Sequence, residues 1–198
     1  KEILSILSSS FPELKKGLSM QELPLNDIEE RLLGHPFIRT AEASVDQQGI
    51  LKLNLTQHEP MARIARPESA DGYITKEGLL ISTSPTYTSR VLIIHGPYIG
   101  SLMDQGRLDV MPELIPLIQF ITQDKFWSAQ VTELEINGRN DIRIHQQVGK
   151  QVIEFGDAKD FESKFNRISV LYKEILPRKG WDAYQRISVK YKNQIVCE

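Results

Sequence analysis

The chain has one cysteine in 198 residues, Cys197, so no disulfide can close within it. That leaves the redox compartment open, because extracytoplasmic proteins of this size need not use disulfides. Excess charge is lacking too. A formal net charge of -2 gives no electrostatic reason to expect nucleic acid as the main ligand, and the local basic pairs Lys15-Lys16 and Arg178-Lys179 read as solvated surface. Long apolar runs are missing: Val91 to Ile94 is far too short to span a bilayer. The glycines stand singly at turns, with no phosphate-cradling cluster and no Gly-x-Ser-x-Gly elbow. The sequence opens on Lys1 rather than methionine, which reads as an excised fragment, so a missing targeting segment says nothing about the intact protein.

Chemistry is scarce as well. His35, His58, His95 and His145 are far apart in sequence and form no ligand pair. His58-Glu59 begins like a zinc-protease helix, but Pro60 breaks it and no second histidine follows four residues on. Cys197 has no histidine beside it in sequence, which argues against a nucleophile. Glu133, Glu135 and Asp141 read as outward-facing acids on adjacent strands, not an acid/base pair. Trp127 and Trp181 read as packing groups near helix ends. The expectation is a non-enzymatic chain with no metal and no cofactor.

What is present is a globular balance, 40% hydrophobic and 25% charged, which argues against extensive disorder. Ile3, Leu4 and Leu7 give a first helix, ended by Ser8-Ser9-Ser10 and Pro12. Asn26 is read as the N-cap of a second helix, with Glu29 completing a capping box, and Ile28, Leu32 and Leu33 as its apolar side. Gly34 and Pro36 stop it. Ala41, Ala43 and Val45, then Leu51, Leu53 and Leu55, alternate with polar residues, so two strands pair around Gln47-Gln48-Gly49. Residues 1–58 therefore read as helix, helix, strand, strand.

From Glu59 onward short strands alternate with turns. Pro60–Ile64 reads as an apolar linker strand, Tyr73–Thr75 and Leu79–Ile81 as a hairpin, and Arg90–Ile94 as a buried run ended by Gly96-Pro97. A helix from about Asp109 carries Val110, Leu114, Leu117, Ile118 and Ile121, with Pro116 predicting a kink or two pieces. Asn137-Gly138 is read as the turn joining Val131–Ile136 to Asp141–His145, with Gln151–Phe155 as a third strand. A long amphipathic helix follows, capped by Asp157, with Phe161, Phe165, Ile168, Tyr172 and Ile175 on one side, and ended by Pro177 and Gly180. Tyr184 to Val196 alternates as a closing strand, with Lys192-Asn193 turning into Gln194–Val196. The fold class is α+β, with residues 59–198 as a mixed β domain carrying two long helices.

Several segments in this order resemble the FtsQ/DivIB bacterial cell-division family. His35-Pro36-Phe37-Ile38 with Ala41-Glu42-Ala43, and Glu59-Pro60-Met61-Ala62, are similar to the segments leading into and out of the strands of that family's POTRA domain. Tyr73–Gly78 and Val91–Pro97 resemble a turn and strand that follow. Phe155-Gly156-Asp157 resembles the step into a long helix where Lys164 fits a usual basic position. Ile187–Cys197 is similar to the closing strand pair, in a form that suits the Bacteroidetes-like branch. Lys76 or Glu77, Ser188 and Gln194 depart from the usual aspartate, aspartate and glycine.

The resemblance implies a POTRA-like domain over 1–58, its first strand cut away with a transmembrane anchor, and a β domain over 59–198. It implies a periplasmic, inner-membrane-anchored divisome scaffold binding FtsB- and FtsL-like partners at the septum. The partner strand would extend the sheet at the C-terminal strands, with Tyr184, Ile187, Val189, Tyr191 and Ile195 in or beneath the contact. Two other readings remain open from sequence: a POTRA-containing outer-membrane assembly or secretion component, and a periplasmic ligand-binding domain.

Overall fold

The structure, a computed structural model, describes residues 2–12, 23–84, 88–106 and 108–198. The Lys15-Lys16 pair lies outside them. The chain divides into two compact units, Lys1–Glu59 and Pro60–Glu198.

In the first unit, α1 (Glu2–Ser10) and α2 (Leu25–Leu33) pack on a two-stranded antiparallel sheet, β1 (Ile38–Val45) and β2 (Leu51–Gln57). The alternation does what its period requires. Ala41, Ala43 and Val45 face Leu55, Leu53 and Leu51 across the pair, and all of these but Val45 pack against a core of Leu7, Ile28, Leu32 and Ile38. Gly49 takes a φ of 79° in the turn, a region open to glycine at little cost. Asp46 fastens that turn by accepting hydrogen bonds from the Gln48 and Ile50 amides at 2.9 and 3.0 Å.

As expected, α1 ends at Ser10, two residues before Pro12, although Ser8 and Ser9 stay helical by turning their hydroxyls back onto the Ser5 and Ile6 carbonyls. The capping box does not form: Pro24 precedes α2, no side chain caps it, and Glu29 instead accepts a 2.7 Å hydrogen bond from the Ala43 amide. Leu33 points outward, whereas Ile28 and Leu32 are buried.

The second unit is built on a nine-stranded mixed sheet, ordered β11-β10-β9-β8-β7-β6-β3-β4-β5. Its strands are β3 (Pro60–Ile64), β4 (Gly72–Thr75), β5 (Leu80–Ser82), β6 (Leu92–His95), β7 (Val131–Gly138), β8 (Asp141–Gln146), β9 (Val152–Gly156), β10 (Arg186–Ser188) and β11 (Val196–Cys197). The Pro60–Ile64 linker is thus an inner strand, parallel to β6 and antiparallel to β4, with Ala62 and Ile64 fully buried. The expected hairpin forms from β4 and β5. β9 joins β8 antiparallel, as the third strand of the expected set.

Ile94, Leu134, Ile136, Ile142, Ile144, Ile153 and Phe155 point to one side and are buried in a single core with the helices. The opposite side carries Glu133, Glu135, Arg143, His145 and Glu154, all part-exposed. Arg90–Ile94 is not buried throughout, because the strand starts at Leu92 and Ile93 falls on that second side, 37% exposed. The Asn137-Gly138 turn is displaced as well. Gly138 pairs with Asp141, so Arg139 and Asn140 make the connection, while Asn137 donates to Glu135 at 2.7 Å.

The helices α3 (Pro97–Asp104), α4 (Leu114–Gln123) and α5 (Trp127–Gln130) link β6 to β7. α3 escaped the sequence reading. Pro97 opens it at a first-turn position and Ile99 and Leu102 are buried. Gly96 before it has a φ of 121°, and a Cβ there would lie 2.5 Å from the Ile136 carbonyl oxygen. Only glycine lets this turn sit against β7. The helix expected from Asp109 separates into a 3₁₀ turn (Leu108–Val110) and α4. Pro116 lies in the first turn of α4, where its missing N–H would have no intrahelical partner anyway.

The long helix runs as α6 (Phe161–Val170), a π segment (Leu171–Ile175) and α7 (Leu176–Lys179). Pro177 does not end it. The wider turns before Pro177 accommodate a proline with no N–H for the Lys173 carbonyl, and Gly180 terminates the run. Asp157 does not cap α6. Asp160 takes that place, and Asp157 instead accepts a 2.6 Å hydrogen bond from Lys164 Nζ.

Candidate functional site

The α6–α7 helix returns the chain to the sheet as a crossover, so β10 runs parallel to β9 in register Arg186–Val152, Ile187–Ile153 and Ser188–Glu154. The chain then turns at Lys192-Asn193, where Asn193 has a φ of 59°, and β11 pairs antiparallel with β10. Asparagine tolerates that backbone. β11 is therefore the outermost strand on this side of the sheet, and β10 lies between two neighbours.

Hydrogen-bond alternation decides which backbone groups face outward. Arg186 and Glu198 exchange bonds, at 3.1 Å from the Arg186 amide and 3.0 Å from the Glu198 amide. Ile187 faces Cys197 and Ser188 faces Val196. In an antiparallel pair the bonded positions alternate, so Val196 and Glu198 turn toward β10, while Ile195 and Cys197 turn their N–H and C=O groups away from it.

The closing hairpin is held from below by Arg167 on α6. Its guanidinium donates to the Tyr191 and Gln194 carbonyls, and to the Val189 carbonyl at 3.1 Å. On the open side, Glu154 lies 3.3 Å from Lys190 Nζ and 3.5 Å from Arg186, which also pairs with Glu198. Glu198 beside it raises the Arg186 guanidinium above its ordinary value. Burial pushes the Cys197 thiol up, which keeps it protonated and unreactive near neutral pH.

The five residues expected at the contact separate by depth. Ile187 and Val189 are fully buried and face the core, Tyr184 and Ile195 pack against that core while part-exposed, and Tyr191 is 57% exposed. The regular strand expected over Tyr184–Val196 is far shorter: only Arg186–Ser188 and Val196–Cys197 are extended and paired. Val189 still donates to the Glu154 carbonyl at 3.0 Å, but Lys190 has left the ladder. Sequence reasoning missed Arg167 and the outward backbone of Cys197. A basic residue three positions after Lys164 on an amphipathic helix gives no sign that it reaches the hairpin.

Elsewhere, the fold gathers groups that are distant in sequence. His95 and His145 stand with ring centroids 5.9 Å apart, His95 3.4 Å from Glu133 and His145 3.2 Å from Glu135. Hydrogen bonding from Asn137, then from His145, holds the Glu135 carboxyl below its ordinary value despite some burial, with Arg143 adding to it. An ionised Glu135 between donors is not poised to move a proton. Among the described residues, no group of three or more His, Cys, Asp or Glu side chains is placed to hold a metal ion. Trp127 packs 4.6 Å from Phe165, and Trp181 lies 5.7 Å from Tyr172, both as packing groups. No helix among the described residues is long and apolar enough to cross a membrane.

No curated protein matches this sequence. A family model described as FtsQ/DivIB, C-terminal related, matches residues 59–198, the whole nine-stranded sheet and its helices. With more than half of its length matched in this way, the chain belongs to the FtsQ/DivIB family of non-enzymatic bacterial cell-division proteins.

Proposed function

We propose that this chain is the periplasmic part of a division scaffold anchored in the inner membrane, and that it binds FtsB- and FtsL-like proteins by adding a partner strand along β11. One observation carries the reading: Cys197 turns its backbone N–H and C=O away from β10 on the outermost strand. A sheet rim of this kind satisfies its polar groups by pairing. Tyr191 and Val196, 57% and 38% exposed, offer apolar side chains beside it, with Tyr184 and Ile195 flanking and Ile187 and Val189 supporting from within the core.

A proline at Lys190 does not test this, because that residue is outside the ladder. Cys197→Pro does: it deletes one outward donor and leaves the Val196 and Glu198 bonds to β10 intact. Affinity for the periplasmic parts of the FtsB- and FtsL-like partners, measured by calorimetry, is expected to fall at least about tenfold in Cys197→Pro and to persist in Cys197→Ala. Circular dichroism checks that both variants stay folded. A folded Cys197→Pro protein with full affinity removes the contact from this edge.

A further inference from the structure

The nine-stranded sheet has a second rim at β5, the outermost strand on the side away from β11. Its pairing with β4 fixes which backbone groups face outward. The Thr75 amide donates to the Leu79 carbonyl at 2.9 Å, and Tyr73 lies opposite Ile81 in the same register. Bonded positions alternate in an antiparallel pair, so Tyr73 and Ile81 exchange bonds, while Leu80 and Ser82 turn their N–H and C=O groups away from β4. Among the described residues, no hydrogen bond outside the ladder takes up those groups. Strand edges are ordinarily guarded by charge, proline or a bulge. β1 has such a guard, because the Glu29 carboxylate occupies its outward Ala43 amide at 2.7 Å. β5 has none: residues 79–84 include no charge and no proline, and the β4–β5 register is unbroken.

We infer that β5 pairs antiparallel with the β5 of a second copy of this chain, across a two-fold axis at Ile81. The outward groups of Leu80 and Ser82 are spaced evenly about Ile81. The axis therefore sets Leu80 against the partner's Ser82, and Ser82 against the partner's Leu80, so that both pairs are hydrogen-bonded without a register shift. An uncharged strand suits a copy of itself: it sets no like charges opposite one another, and it carries no charge with which to select an unlike chain. The axis stands perpendicular to the sheet, so the helix layers of both copies lie on one side. There Leu80, Met103 and Ile115 are part-buried against the core, with Met103 beside Gly72 and Ile115 beside Gly78. Self-pairing brings this apolar strip against its own counterpart. It also leaves the β11 rim of each copy open, since eight strand spacings separate β5 from β11, roughly 38 Å in the sheet.

Sedimentation equilibrium of the 198-residue chain is expected to show a reversible monomer–dimer equilibrium with a Kd below about 1 mM. Ser82→Pro deletes one outward donor and no bond to β4, so it should raise that Kd at least about tenfold. Ser82→Ala and Cys197→Pro should leave it unchanged, and circular dichroism verifies the fold of each variant. Hydrogen exchange on the unaltered chain is a second readout, and it decides alone where Ser82→Pro does not fold. With rising concentration the Leu80 and Ser82 amides should slow, and the Cys197 amide should not. A chain still monomeric at about 1 mM, a dimer that a folded Ser82→Pro keeps, a dimer lost in Cys197→Pro, or exchange at Leu80 and Ser82 independent of concentration overturns the inference. So does a monomeric chain whose affinity for the FtsB- and FtsL-like partners falls in Ser82→Pro, because that result gives the β5 rim to them.

Discussion

Lys164 is 5% exposed, and its ammonium lies 4.8 Å from the Phe155 ring centre, so its charge depends on few partners. Those partners are the Asp157 carboxylate at 2.6 Å and the Asp157 carbonyl at 2.8 Å. Burial alone would push the Asp157 carboxyl up, but Lys164 outweighs it and holds the group below the usual carboxylate range. A carboxyl depressed in the folded state adds stability above its unfolded value, near 4, and that stability fades as pH falls through the folded value. Asp157→Asn is therefore expected to cost about 1–2 kcal/mol at neutral pH, the modest size reflecting a carboxylate 37% exposed. Urea unfolding at pH 7 and below pH 4 checks this. The gap between variant and parent should close in acid, and a gap of constant size would mean the ion pair is not its source. Sequence could name Lys164 as a basic position of the long helix but took Asp157 for a cap, because helix-start signals specify a residue type and not the atom it meets.

At the scale of elements, the closing hairpin is short and rests on one side chain. β10 and β11 supply three and two residues, too few to hold a ladder by themselves. Three carbonyls, those of Val189, Tyr191 and Gln194, take hydrogen bonds from Arg167. Arg167→Met keeps the apolar stem and removes the donors, so amide exchange at Val196 and Glu198 should speed up at least about tenfold, while amides of β7 and β8 keep their protection. Partner affinity through β11 should fall with it. Uniform loss of protection across the sheet would make Arg167 a general stabiliser instead. The hairpin is also where the sequence is least informative. Leu51, Leu53 and Leu55 announce β2 because one face of that strand is buried and the other wet. Ile187 and Val189 carry the same period, yet the helix crossover, not the period, decides that β10 lies parallel to β9 and inside the sheet. α3 was hidden for a related reason: Gly96-Pro97 reads as a stop, and here the same pair is a helix start.

For the whole molecule, the two units differ in how much core each commands. Among the described residues, those of 1–59 bury a cluster of Leu7, Ile28, Leu32 and Ile38 over a two-stranded sheet, whereas those of 60–198 gather thirty buried residues around nine strands. A unit of that smaller size buries a low fraction of its unfolded surface, and two strands add little cooperative pairing. The smaller unit should therefore unfold first. Trp127 and Trp181 both belong to the larger unit, so tryptophan fluorescence is blind to the first step and far-UV circular dichroism sees both. On heating the 198-residue chain, circular dichroism should show two transitions and fluorescence only the upper one. The fragment 60–198 alone should reproduce the fluorescence midpoint within about 3 °C, a shift worth less than about 1 kcal/mol for a domain of this size. A single transition, coincident by both probes and lost in the fragment, would mean that the units fold as one cooperative body.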